Sequence, residues 1–467
     1  MLRWVFLVMM VSGAWLAAYS QTPALGVVHA SIAVKADPTN SYALYLPSNY
    51  SSDRKWPVLL AFDPFARGET SVTLFHEAAE KYGFIVAGSN NSRNFQDPSA
   101  AIRLLAADIK EQYATDPRRL YVTGLSGGAR VASSLALACK NCIAGVIANS
   151  AGLPSGGAIP APEIADWFLA AGTTDFNYPE MLHLKEALER NNVGSRFVVF
   201  DGPHGWMPKE LADHALAWLQ LRAMVKGLTP VDKGFVDKQF DERLAEAQSA
   251  QKAGDILAAI RDYREIAADF RTFRDVKDQE TLAKSLAESE AFAKAKKSEK
   301  AALDQQDEVA MNLGTLIASI GKVPENRASI LTQLETMADS AAHDQRQSSD
   351  PARKNAIARG LASAFAYAVE TGQQEMLKKD YLSAREMFQV GEIIQPDSAW
   401  ASYLSATAYA ALGEKKPAIQ KLRKAMNKGL SNPKSLEDPA FDRIRNEEAF
   451  KQIAASLSSA PKQETAK

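Results

Sequence analysis

The stretch LYVTGLSGGARVASSLALA, residues 120–138, decides the fold. Leu120 to Thr123 is a short apolar run of the kind buried on both faces of a parallel sheet, and Ala129 to Ala138 is a helix of small residues. Between them Gly124-Leu125-Ser126-Gly127-Gly128 matches G-x-S-x-G. A serine placed between strand and helix sits on a sharp turn, where flanking glycines let neighbouring backbone approach and leave the hydroxyl exposed. The pentapeptide alone is common; the strand before it and the helix after it give it weight.

Outward from this point the first half alternates short apolar runs with longer amphipathic ones. Strands are expected at 42–47, 57–62, 84–88, 143–150, 167–172 and 196–202, and helices at 71–82, 97–114, 179–191 and 208–224. Such a βα alternation predicts the α/β class, with a doubly wound, mostly parallel sheet and any site at the strand C-termini.

A serine hydroxyl is a poor nucleophile until an imidazole takes its proton, and the imidazole needs a carboxylate to fix its tautomer. Of the six histidines, only His204 stands in a loop directly after a strand, in Asp201-Gly202-Pro203-His204-Gly205-Trp206. Asp175 follows the strand 167–172 in Gly172-Thr173-Thr174-Asp175, and is favoured as the acid over Asp201, which is three residues from the histidine. The chain order Ser126, Asp175, His204 is the Ser…Asp…His order of α/β-hydrolases.

On these three motifs, residues 40–225 resemble a compact serine esterase of the α/β-hydrolase superfamily, similar to dienelactone hydrolases, feruloyl esterases and polyhydroxybutyrate depolymerases. The resemblance implies Ser126 as nucleophile, His204 as general base and then acid, Asp175 as its orienter, and the Gly127 N–H as one oxyanion donor. The second donor is expected from the loop after strand 57–62. Family members often carry His-Gly there, whereas this chain has Asp63-Pro64-Phe65-Ala66; Pro64 has no N–H, so Phe65 is the expected donor and Ala66 the next. Trp206 is a candidate wall of the substrate pocket or a packing residue, and Asn90 a candidate rim residue. No cap is inserted between Ser126 and Asp175, so an open cleft for small or polymeric esters is expected. No cofactor or metal is implied.

Composition divides the chain. Residues 1–228 carry 19 basic and 19 acidic side chains with 17 of the 26 glycines, and residues 229–467 carry 35 and 36 with nine glycines. The formal net charge of -1 argues against nucleic acid or an anionic membrane surface as partner. Residues 229–240 read as a linker and 241–456 as an all-α domain, with 457–467 as a disordered tail. Ala384, Phe388 and Gly391 recur as Ala418, Leu422 and Ala425 at a spacing of 34 residues, which resembles the tetratricopeptide (TPR) repeat. That resemblance implies a helical surface for a protein partner or for packing on the first domain, and makes the second half dispensable for short-ester hydrolysis.

Met1-Leu2-Arg3 followed by the apolar run Trp4 to Ala18 reads as a secretory signal peptide over 1–20, too short for a membrane span of about 20 apolar residues. A periplasmic or secreted protein is expected, with an uncleaved anchor as the alternative. The only cysteines, Cys139 and Cys142, are either a local disulfide or two quiet thiols. The functional expectation is an exported carboxylesterase. Its rivals are a noncatalytic TPR scaffold with a degenerate hydrolase half, and a peptidase or acyl transferase using the same triad.

Overall fold

The apolar runs of the first half are strands whose alternate side chains enter two different cores. A computed structural model describes residues 23–139, 141–320 and 326–459; the expected signal peptide lies outside them. The strands are β1 (Val28–Val34), β2 (Asp37–Tyr45), β3 (Trp56–Phe62), β4 (Ile85–Ser89), β5 (Thr115–Leu125), β6 (Gly145–Asn149), β7 (Asp166–Gly172) and β8 (Ser195–Phe200). They form one sheet in the order β1-β2-β4-β3-β5-β6-β7-β8. β2 runs antiparallel to β1 and β4, and every pairing from β4 through β8 is parallel.

Helices α2 (Ser99–Gln112), α3 (Gly127–Ala138) and α4 (Tyr178–Arg190) cover one face, and α1 (Gly68–Tyr82) and α5 (Lys209–Val225) the other. In β7, Trp167, Leu169 and Ala171 join the first core while Phe168 and Ala170 join the second. A period of two on a sheet covered twice therefore makes the whole strand apolar. This is the α/β-hydrolase arrangement, and it sets every parallel-strand C-terminus along one edge. Cys139 and Cys142 are joined by a disulfide just past α3.

The second half is helical throughout its described residues: α6 (Lys233–Lys252), α7 (Ile256–Phe270), α8 (Lys277–Ala287), α9 (Glu290–Ser319), α10 (Arg327–Gln347), α11 (Pro351–Lys378), α12 (Tyr381–Ile394), α13 (Ala399–Ala411), α14 (Lys415–Asn427) and α15 (Glu448–Ser459). Many of these helices begin at a side-chain cap: Asp232, Asp255, Ser289, Asp350, Asp380 and Ser398 each accept a first-turn N–H. The residues repeated at 34 positions, Ala384, Phe388 and Gly391 on α12 and Ala418, Leu422 and Ala425 on α14, are all buried.

Two boundaries differ from the sequence reading. The segment 229–240 runs into α6, where Val236 and Phe240 are buried with Leu221 and Met224 of α5, so it is an anchored helix start rather than a free linker. Beyond Ser456, α15 continues to Ser459 with Leu457 buried, while 460–467 lie outside the described residues. Among the described residues, no helix is long and apolar enough to cross a membrane.

Candidate active site

Ser126 stands between β5 and α3 with φ 53° and ψ −121°, a left-handed conformation that a side chain adopts only under constraint. Its N–H donates to the Asn149 carbonyl at the end of β6 (2.9 Å). Two of the glycines around it, Gly124 and Gly128, are required by close backbone approach, while Gly127 faces the movable side chain of Asn94. A Cβ on Gly124 would lie 2.2 Å from Gly128 backbone, one on Gly128 2.0 Å from the Phe62 carbonyl oxygen, and one on Gly127 1.9 Å from Asn94 Oδ1.

Asp175, fully buried after β7, lies 2.8 Å through Oδ1 from His204 Nδ1 and also accepts the Asn177 N–H (2.9 Å). The structure thus brings Asp175 to the histidine; Asp201 instead accepts the Thr173 hydroxyl (3.1 Å). With Nδ1 donating to the carboxylate, Nε2 is the nitrogen left for a proton from a nucleophile. No hydrogen bond joins Ser126 and His204 among the described residues; in a free enzyme such bonds are often long and tighten when substrate binds.

Two residues missed in the sequence hold this pair in place. Phe176 stacks on the His204 ring, with centroids 4.2 Å apart. Asn149 bridges the serine and histidine loops: its carbonyl takes the Ser126 N–H, its Nδ2 donates to the Gly205 carbonyl (2.6 Å), and its Oδ1 accepts the Met207 N–H (2.7 Å). An Asn at the end of a buried strand was the only sequence signal for it.

The loop after β3 departs from expectation. Asp63, fully buried, accepts Arg67 Nε and Nη2 (2.9 Å each), the Trp206 indole N–H (2.9 Å) and the Phe65 N–H (2.9 Å). The Phe65 N–H assigned to the oxyanion is therefore engaged by the carboxylate two residues before it, and the Ala66 N–H by the Asp63 carbonyl (3.0 Å). Trp206 ties the histidine loop to this carboxylate and meets Phe75 edge-on at 6.3 Å, so packing describes its place better than a pocket wall. Asn90 belongs to the framework: its amide binds the Gly68 N–H, the Ala30 carbonyl and the Ser41 hydroxyl. The amide beside the elbow is that of Asn94, which makes no side-chain hydrogen bond among the described residues and lies against Gly127.

The strand-end edge expected to be open is partly covered by the helical half. Arg359 of α11, 5% exposed, donates from Nη1 to the Thr173 carbonyl (2.9 Å) and from Nε to Gln306 Oε1 of α9 (2.6 Å), and Gln306 Nε2 donates to the Phe176 carbonyl (2.9 Å). The helical half thus grips the loop that carries Asp175. Farther along α11, Glu370 lies within electrostatic reach of His204 and Arg130; desolvation raises its carboxyl above the ordinary value while those two groups oppose the shift. Between the loops bearing Phe65 and Asn94 and helices α11–α13 lies a cavity of about 670 Å³. The helical surface expected to take a partner or to pack on the first domain meets the α/β half here, with Trp400 packed edge-on to Phe65 at 5.8 Å.

No family model and no curated protein matches the chain. Among solved structures it is similar to the S-formylglutathione hydrolase of Staphylococcus aureus, at 17% identity over 42% of this chain and 98% of that one, with a TM-score of 0.34. It is similar to a ferulic acid esterase at 17% identity over 42% and 97%, with a TM-score of 0.35. A hyperthermophilic esterase of the archaeon Pyrobaculum calidifontis matches at 13% identity over 44% and 86%, again at 0.35. Each likeness spans less than half of this chain.

Proposed function

We propose that the protein is a serine hydrolase that cleaves carboxylic esters through an acyl-enzyme on Ser126. One observation carries the reading: a serine held at positive φ on the β5–α3 turn, on the same sheet edge as a buried Asp175 whose carboxylate lies 2.8 Å from the half-buried His204. In the reaction His204 Nε2 takes the hydroxyl proton as Ser126 Oγ bonds to the ester carbonyl carbon. The tetrahedral adduct then expels the alcohol, which receives that proton. Water, activated by the same nitrogen, releases the acid and restores the serine. Asp175 orients the ring and stabilises the imidazolium.

The oxyanion is held by the Gly127 N–H at the start of α3, where the helix dipole also favours negative charge. The engaged Phe65 and Ala66 N–H groups favour Asn94 Nδ2 as the second donor, with the amide turned from the orientation that sets its Oδ1 against Gly127. The same engagement is the observation on the side of a noncatalytic scaffold, so the test must separate the two. Purified protein is expected to label at Ser126 with a fluorophosphonate and to hydrolyse p-nitrophenyl acetate, with Ser126→Ala losing both. Folded wild-type protein that does neither is a scaffold. The N-terminal segment supports export to the periplasm or beyond as the setting of this activity.

A further inference from the structure

We propose, resting on the hydrolase reading, that the helical half forms the far wall of the substrate cleft and that the cavity lined by Phe65, Phe95, Leu377 and Trp400 receives the large, ring-bearing apolar part of the ester. Large apolar side chains left in water mark binding surfaces when they cluster. Of the twelve exposed large hydrophobics among the described residues, four line this one cavity: Phe65 and Phe95 from the hydrolase half, Leu377 and Trp400 from the helical half.

The cavity adjoins the chemistry. Asn94 is part of its wall and at the same time lies against the Gly127 backbone, one residue from the nucleophile. A substituent on an ester held at Ser126 therefore reaches the cavity past Asn94 and Phe65. The volume of about 670 Å³ falls within the roughly 300–1,000 Å³ usual for small-molecule sites. Its aromatic lining names the ligand class. Phe65, Phe95, Tyr381, Phe388, Trp400 and Tyr403 all line it, with Trp400 stacked on Tyr403 (centroids 5.2 Å apart) and edge-on to Phe65, and ring-bearing groups pack favourably on such aromatic surfaces. Arg93, Gln96, Gln373 and Arg443 give a polar rim.

Helix α11 makes the wall continuous. From Arg359, which holds the acid loop, to Leu377 at the cavity it covers 18 residues, about 27 Å at 1.5 Å per residue. The wall and the triad are thus fastened by the same helix.

The test uses the full chain and two substrate arms. One arm varies the acyl group, p-nitrophenyl acetate against p-nitrophenyl 2-naphthoate, and the other the alcohol, ethyl acetate against 2-naphthylmethyl acetate. In at least one arm wild-type kcat/KM is expected to favour the naphthyl ester tenfold or more. Leu377→Trp, which fills the cavity from an exposed position, and Trp400→Ala, which removes its ring, are each expected to cut that ratio tenfold. Met311→Ala on the exposed side of α9 should keep it. Unchanged ratios in folded variants whose Ser126 still takes a fluorophosphonate overturn the proposal while leaving the hydrolase reading standing. Wild type that neither labels nor turns over brings down the hydrolase reading and this proposal together.

Discussion

Asp63 shows how one carboxylate can take over work that other sequences give to a different local motif. It is fully buried, and its two oxygens fix Arg67, Trp206 and the Phe65 N–H, so the loop after β3 and the loop bearing His204 share one anchor. Ser126, Asp175 and His204 were legible because each is a local event, a polar residue just after an apolar strand. Asn94, Phe176 and Asn149 were not, because their value comes from partners 33, 28 and 56 residues away in the chain, and no local pattern encodes that distance. Two substitutions test the residue scale. Asp175→Asn keeps the shape but supplies the wrong hydrogen-bond partner to Nδ1, and kcat on p-nitrophenyl acetate is expected to fall by about 10⁴. Asn94→Ala is expected to lower kcat by about 10²–10³ with KM little changed, the signature of a group that acts only on the developing oxyanion. Equal kcat in Asn94→Ala and wild type would mean the second donor is elsewhere.

At the scale of the element, α7 is the helix that joins the halves, and it does so with charge. Glu265 and Asp269, one turn apart, are both buried. Glu265 accepts the Phe197 N–H of β8 (2.9 Å) and pairs with Lys185 (2.8 Å). Asp269 accepts the Trp218 indole N–H (2.8 Å), Arg243 Nη1 (2.5 Å) and Arg222 Nη1 (3.3 Å). Burial alone would raise the Asp269 carboxyl; Arg243 and Arg222 outweigh it and hold the group below its ordinary value. Removing the carboxylate leaves Arg243 buried and short of a partner, so Asp269→Ala is expected to cost about 3–5 kcal/mol in denaturant unfolding at pH 7. The sign with pH follows. A carboxyl with a depressed folded pKa contributes fully above the unfolded value near 4 and loses that contribution as pH falls through its folded pKa, so the gap between mutant and wild type should close in acid. A gap that stays constant with pH would mean that packing, not charge, is lost. The start of α6 was misread as a linker for a related reason. KGLTPVDKGFVDK is polar and carries two glycines, and only Val236 and Phe240, four residues apart, betray the face that docks on α5.

At the scale of the molecule, the division at residue 228 is real in composition and not in mechanics. The sequence marked two architectures correctly, since glycine and charge usage report local backbone demands. It carried no sign that the second architecture lies against the strand-end loops of the first, because a docking face between halves looks like any amphipathic helix. A protein ending at Leu228 would bare Leu221 and Met224, strip Arg222 of Asp269 and free the acid loop from Arg359. Such a truncation is expected to melt lower than the full chain by about 10 °C or more, or to be insoluble. Equal melting temperatures would show that the hydrolase half stands alone.

The Arg359–Gln306 grip on Thr173 and Phe176 carries a consequence for how the protein would fail. Helices open locally at a fraction of the cost of unfolding the whole chain. Loosening α9 against α11 would release the backbone on both sides of Asp175 while the central sheet stays shut. Loss of the proposed activity on heating would then run ahead of loss of the sheet, and amide exchange in two helices that hold none of Ser126, Asp175 and His204 would be its better clock.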